Sequence, residues 1–224
     1  MKFIVVNGDY EYTEIGLFTG TQLIDTIKES QKSTSSHLLP SMHNLLERNQ
    51  LTIDDLDFIA ANTGPGPFTT LRVTLATVNG ISFAISKPLV PVDSLLGLLS
   101  EHAQLNHHTV ALYNAFAQEV FFAIALQNNP IITGYGHIDT VLNDVRLSLP
   151  ENESVEFIGK GAELYSTQIK TIFESDADID RSISYCSLQE MGKQAYATYQ
   201  NTAYPIYKLE PRYLKKPHYK KAIF

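Results

Sequence analysis

Cysteine occurs once in 224 residues, at Cys186, so no internal disulfide forms and a cysteine-based metal site lacks its second ligand. Reducing conditions are compatible, and the thiol reads as a small buried apolar residue at a strand end. Positive charge is scarce as well: 17 Lys and Arg stand against 24 Asp and Glu, a net charge of -7. Nucleic-acid affinity comes from neutralising phosphates with cations, so independent, non-specific binding is disfavoured. No run approaches the eighteen or more apolar residues of a membrane span. The opening residues turn polar at Asn7, too soon for a signal-peptide core, and read as a first strand. The expectation is a cytoplasmic protein with no membrane contact.

Hydrophobic residues make up 44% of the chain and charged residues 18%, a balance that favours a compact fold over disorder. The length suits one large domain or two lobes. Strand patterns over 3–7, 10–18 and 21–27 form a meander turned at Gly20. A helical pattern over 36–48, a strand over 57–62, a helix from 68 to about 86 and a short strand over 89–92 follow. The alternation predicts parallel strands layered with helices. After a linking helix over 94–104, the programme restarts with strands over 110–113, 119–126 and 131–135, a helix over 140–147, a strand over 155–158, and helices over 162–173 and 188–199. Val5, Val6 and Asn7 correspond in order to Leu112, Tyr113 and Asn114, so the pattern suggests duplication: a first lobe over 1–104, a second over 105–200, and a basic segment over 201–224. In that last segment Lys208, Arg212, Lys215, Lys216, Lys220 and Lys221 are opposed only by Glu210, and it reads as a solvated tail.

Between strand and helix stands Thr63-Gly64-Pro65-Gly66-Pro67-Phe68-Thr69-Thr70-Leu71-Arg72. A phosphate cradle aims consecutive N–H groups at the anion, but Pro65 and Pro67 have none. Only Gly64, Gly66 and Phe68 could donate, and no Lys follows as in a P-loop. A structural role fits better, with Gly66 permitting an unusual turn and Pro67 at the first helical position. In the helix behind it Leu71, Leu75, Val78 and Ile85 fall near one stripe, while Ala76, Gly80 and Ala84 line another along which a second helix can approach closely. Leu38, Leu39, Met42, Leu45 and Leu46 supply a second apolar helical surface. Both stripes have an ordinary use as internal packing. Arg72, early in its helix, opposes the helix dipole, so a carboxylate or carbonyl partner is expected in this chain or another. Catalytic groupings are thin: the histidines lack metal-ligand spacing, there is no nucleophile elbow, and Asp54 and Asp55 read as a capped turn at a solvated edge.

The stretch from Gly64 to Val73, continued by Leu75-Ala76, Gly80, Ala84, Pro88-Leu89-Val90 and Ser94-Leu95, resembles the GPGSFTGLR-containing segment of the TsaB (YeaZ) family. Ser36-His37-Leu38-Leu39-Pro40 and Glu119-Val120-Phe121 are similar to two further family segments. The resemblance implies an α/β, actin/Hsp70/sugar-kinase-like duplicated two-lobe fold, with mixed sheets flanked by helices. It also implies a non-catalytic partner of a TsaD-type enzyme that makes threonylcarbamoyladenosine at position 37 of tRNAs reading ANN codons. A TsaE-type ATPase would join, tRNA would be met only within the complex, and ATP and metal would sit on the partner subunits, with no cofactor here. The implied partner interface comprises Leu38, Leu39, Met42, Leu46, Leu71, Arg72, Leu75, Ala76, Asn79 and Gly80, and Gly64, Pro65, Gly66 and Pro67 form a structural loop. An exposed apolar helical face makes a homodimer plausible when the partner is absent. This sequence departs from the family pattern at Asn7-Gly8-Asp9, at Asn114-Ala115-Phe116, and at Pro67 and Thr70, changes that weaken nucleotide chemistry. The alternative is an actin-like-fold ATPase or small-metabolite kinase, for which Asp9 and Asp139 are the candidate magnesium ligands.

Overall fold

The computed structural model describes residues 1–104, 107–127, 129–150 and 153–215. The first sheet has the order β3-β2-β1-β4-β5, built from β1 (Lys2–Gly8), β2 (Tyr12–Thr19), β3 (Gln22–Ser30), β4 (Phe58–Asn62) and β5 (Leu89–Val92). The second repeats it as β10-β9-β6-β7-β8, from β6 (His108–Asn114), β7 (Glu119–Ala125), β8 (Ile132–His137), β9 (Val155–Ile158) and β10 (Ala177–Ile179). Each sheet pairs its first three strands antiparallel and its remaining neighbours parallel. Two sheets of one topology, each opened by a strand carrying an Asn at or next to its end, Asn7 and Asn114, bear out the duplication.

Strands buried on both faces divide their side chains between cores by the two-residue period of the pleat. Phe3 and Val5 of β1 face inward, while Ile4 and Val6 face the outer layer. That outer layer is α1 (Thr34–Arg48) and α2 (Phe68–Ile85). On the far side α4 (Ile138–Ser148), α5 (Lys160–Leu164) and α6 (Ser166–Phe173) cover the second sheet, so the helix expected over 162–173 is two short helices. Between the sheets lie α3 (Ser94–His102) and α7 (Leu188–Asn201), which share one core with both. By position α7 falls in the second lobe, yet it packs on β1, β2, β3 and β5 of the first. A boundary near residue 200 is therefore no packing boundary.

Cys186 sits in the loop before α7, not at a strand end, and is buried in the central core. Burial pushes its thiol well above the usual range, reinforced by the nearby Glu101, Glu190 and Asp93 carboxylates. The thiolate is the reactive form. Native protein at pH 8 is expected to resist a thiol-specific disulfide reagent for hours and to react stoichiometrically once unfolded; rapid native labelling would contradict the burial.

The segment after α7 is not a solvated tail over its described part. Leu89 N donates to Ile206 O at 2.7 Å, Leu209 is 4% exposed within the outer core of the first sheet, and Arg212 N donates to Thr63 O at 2.8 Å. Lys215 then ion-pairs with Glu119 of the second lobe. Residues 206–215 thus form a strap over the first lobe that ends on the second. Lys216, Lys220 and Lys221 lie outside the described residues.

Candidate functional site

The loop that launches α2 is held by polar groups at the ends of two buried strands. Asn62 Nδ2 donates to Asn7 Oδ1 at 3.0 Å, and Gly64 N donates to Asn62 Oδ1 at 2.9 Å. One of three candidate anion donors is thereby consumed. Ser94 Oγ donates to the Pro65 carbonyl. The left-handed residue is Gly64, with φ of 117°, and the Gly64–Pro65 bond is cis, so the unusual backbone falls there and not at Gly66. Pro67 takes the N-cap position and not the first helical one, and Phe68 begins the helix. Gly8 at the end of β1 faces the same helix: a Cβ there would lie 2.5 Å from Thr70 Cγ2. The glycine lets strand and helix meet where a cradle would need space.

α2 presents two faces, because a 3.6-residue period places i and i+4 on one side. Leu71, Leu75 and Val78 are buried in the chain's own core, as are Leu38, Met42, Leu45 and Leu46 of α1. On the opposite side Arg72, Ala76, Gly80 and Ala84 are exposed in a line. Of the expected interface, then, Leu39, Arg72, Ala76 and Gly80 are accessible, Asn79 is partly so, and the buried Leu38, Met42, Leu46, Leu71 and Leu75 hold the lobe together. Gly80 is informative. A helix-interior glycine costs about 1 kcal/mol relative to alanine, yet a Cβ added at Gly80 meets nothing within 4 Å. Nothing among the described residues requires it to be small.

Beside this line Phe83 is 91% exposed and Leu39 55%. An apolar groove of about 430 Å³ runs between the C-terminal halves of α1 and α2, lined by Leu39, Met42, Leu46, Ile53, Ile81 and Ile85 among others. Phe83 was missed in sequence because a large aromatic does not fit a small-residue stripe; its signal was its place one turn beyond Gly80 and two beyond Ala76, on the same face. With these residues α2 has the length and average composition of a membrane span, although only 33% of it is buried. That qualifies the expectation drawn from apolar runs. Its polar side chains serve protein contacts: Thr70 Oγ1 accepts from Gln31, Ser82 Oγ donates to Tyr207 O, and Asn79 exchanges two hydrogen bonds with Leu209.

Arg72 finds neither carboxylate nor carbonyl among the described residues. Its Nε donates to Tyr213 Oη at 2.8 Å, and its guanidinium lies 3.7 Å from the Phe68 ring centre and 5.8 Å from that of Tyr213. Tyr213, on the strap, could not be linked to Arg72 by sequence spacing.

The cleft between the lobes tests the alternative enzyme reading. Tyr10, Tyr113 and Tyr185 pack face to edge and face to face across it, and Tyr10 Oη donates to Asn114 O at 2.5 Å. The space left among Gly8, Asp9, Asn62, Gly66 and these rings is about 10 Å³. That is at most the room of one water. Burial raises the Asp9 carboxyl above its usual range against two N–H donors, Glu11 and Tyr12, that hold its Oδ1. Asp139 is at the start of α4, paired with His137 at 3.6 Å. Among the described residues no group of three His, Cys, Asp or Glu could hold a metal ion. The pocket among the three tyrosine rings is too small for a nucleotide.

A model of the family described as TsaD, tRNA N6-adenosine threonylcarbamoyltransferase, matches residues 26–223. A curated relative from Buchnera aphidicola, named tRNA threonylcarbamoyladenosine biosynthesis protein TsaB, is 32% identical over 80 residues, 36% of this chain and 36% of that protein. The match therefore spans well under two thirds of that relative's length. YeaZ from Pseudomonas aeruginosa superimposes with a TM-score of 0.71 at 19% identity, covering 95% of this chain and 99% of that one. A protein from Listeria monocytogenes named as an N-acetylmannosamine kinase superimposes at 0.51 and 11% identity, covering 89% and 99%. These likenesses show the duplicated two-lobe fold shared with actin-like sugar kinases.

Proposed function

The chain belongs to the TsaD family, in its TsaB (YeaZ) branch, and from that premise we propose that it is a non-catalytic scaffold that binds and activates a TsaD-type subunit. The product would be threonylcarbamoylated adenosine 37 in tRNAs reading ANN codons. The observation that carries this reading is the exposed line Ala76, Gly80 and Ala84, in which no described residue meets a Cβ added at Gly80, flanked by exposed Phe83. Small residues along a ridge let a foreign helix approach to the closest packing distance. The packing of Tyr10, Tyr113 and Tyr185, which leaves about 10 Å³ among them at the ends of the first strands, supports catalytic inactivity. A TsaE-type ATPase and tRNA then join at the assembled complex in the cytoplasm, with ATP and metal on the partners. Without its partner the same apolar face would pair two copies of this chain.

Coexpression with the TsaD-type subunit of the same cell is expected to yield a complex that survives size-exclusion chromatography at micromolar concentration. Separate elution would sink the scaffold reading. Micromolar binding of Mg-ATP with turnover by the isolated chain would restore the alternative, an ATPase or small-metabolite kinase.

A further inference from the structure

Resting on the reading that the exposed face of α2 docks a TsaD-type subunit, we propose that Arg72 is the specificity contact of that face and takes a carboxylate, an Asp or Glu side chain of the partner. Three cations stand around a recess of about 520 Å³ at the lobe junction: Arg72, Arg212 and Lys215. Arg212 is paired with Asp93 at 2.7 Å and Lys215 with Glu119. Arg72 has no carboxylate among the described residues, and its single hydrogen bond there leaves both Nη atoms without an acceptor. The dipole of its own helix gives a cation near the N-terminal end no support.

What the chain does supply is orientation. Phe68 stacks on Tyr213 at 5.4 Å, and the guanidinium lies over both rings with Nε tied to Tyr213 Oη. A planar fork held this way is prepared for two parallel N–H···O bonds to a carboxylate, with little rotamer entropy left to lose. Arg72 precedes Ala76, Gly80 and Ala84 at four-residue steps, so an element lying along that line brings its end to the guanidinium. The recess beside it is walled by Pro67, Leu71, Phe116 and Phe121, and Phe116 is 62% exposed. Phe116, Ala117 and Gln118 have φ of 59°, 53° and 60°. Three non-glycine residues in the left-handed region are strained, a condition that clusters at ligand clamps and switch regions. The recess therefore receives a bulky apolar side chain next to the acidic one.

The test measures affinity of the full chain for the TsaD-type subunit against salt. Wild-type binding establishes the docking reading; its absence removes both. Given wild-type binding, Arg72→Glu is expected to weaken it by about 100-fold, and Arg72→Lys by about 10-fold, because an ammonium cannot reproduce the fork. Arg72→Ala should flatten the salt dependence, with melting temperature held as the check on folding. Wild-type complex formation with Arg72→Glu binding within threefold, or with an unaltered salt slope in Arg72→Ala, overturns the assignment and leaves the scaffold reading standing.

Discussion

Replacing Ala76 by glutamate is expected to weaken binding to the TsaD-type subunit by more than about 100-fold while changing the chain's own stability by less than about 0.5 kcal/mol. Ala76 is exposed in the middle of the small-residue line. A glutamate there meets water in the free chain and is desolvated, bulky and without a partner in a close helix pair. Leu75, one residue away, gives no such separation. It is 2% exposed in the core of the first lobe, so Leu75→Glu buries a charge and unfolds the chain whatever the interface does. Gly80→Ala offers a second contrast, because the free protein should gain about 0.5–1 kcal/mol in helix propensity and yet bind less well. Isothermal titration together with urea denaturation resolves the two effects. Unchanged affinity in Ala76→Glu would place the interface elsewhere.

Truncating Phe58 to alanine is expected to cost about 3–5 kcal/mol. Phe58 is fully buried on β4, with ring centres 4.3 Å from Phe3 and 4.4 Å from Tyr199; Phe3 in turn stacks on Phe18 at 5.1 Å. This four-ring pile runs from the first sheet to α7, and α7 fits against it closely: a Cβ at Gly192 would lie 2.1 Å from Phe18 Cε1. The site cannot collapse around a missing ring, because its neighbours are rigid rings on strands and a helix. Phe58→Leu, which keeps most of the volume, should lose under about 1.5 kcal/mol. Equilibrium unfolding in urea reads both, and a loss below about 1 kcal/mol for the alanine variant would show that α7 is not seated as described.

The duplicated meander and alternation were legible because strands with both faces buried carry unbroken apolar runs, such as Phe58 to Ala61, and because Gly20 marks its turn. β10 was not legible, since three residues give no period to read. Register between distant segments was equally hidden: nothing near Arg72 announces Tyr213, and Asn79 pairs with Leu209 across 130 positions. At the site, periodicity separated the two stripes of α2 correctly but could not say which faced inward. The leucine stripe proved to be core, and the small-residue stripe, weaker as a hydrophobic signal, was the one left outside. Proline counting in the loop was sound chemistry, yet the positive φ fell on Gly64 because Asn62 claims its N–H.

The strap and α7 also set an order of events. The inner face of the first sheet and the open edge at β5 are completed by residues 188–215, which are synthesised more than a hundred positions after Phe58. At about 5–20 residues per second, the ribosome exposes Phe3, Phe18 and Phe58 for roughly 7–40 s before their cover emerges. A nascent first lobe is thus expected to engage chaperones that hold apolar strands, and its maturation waits on synthesis of residues 188–215.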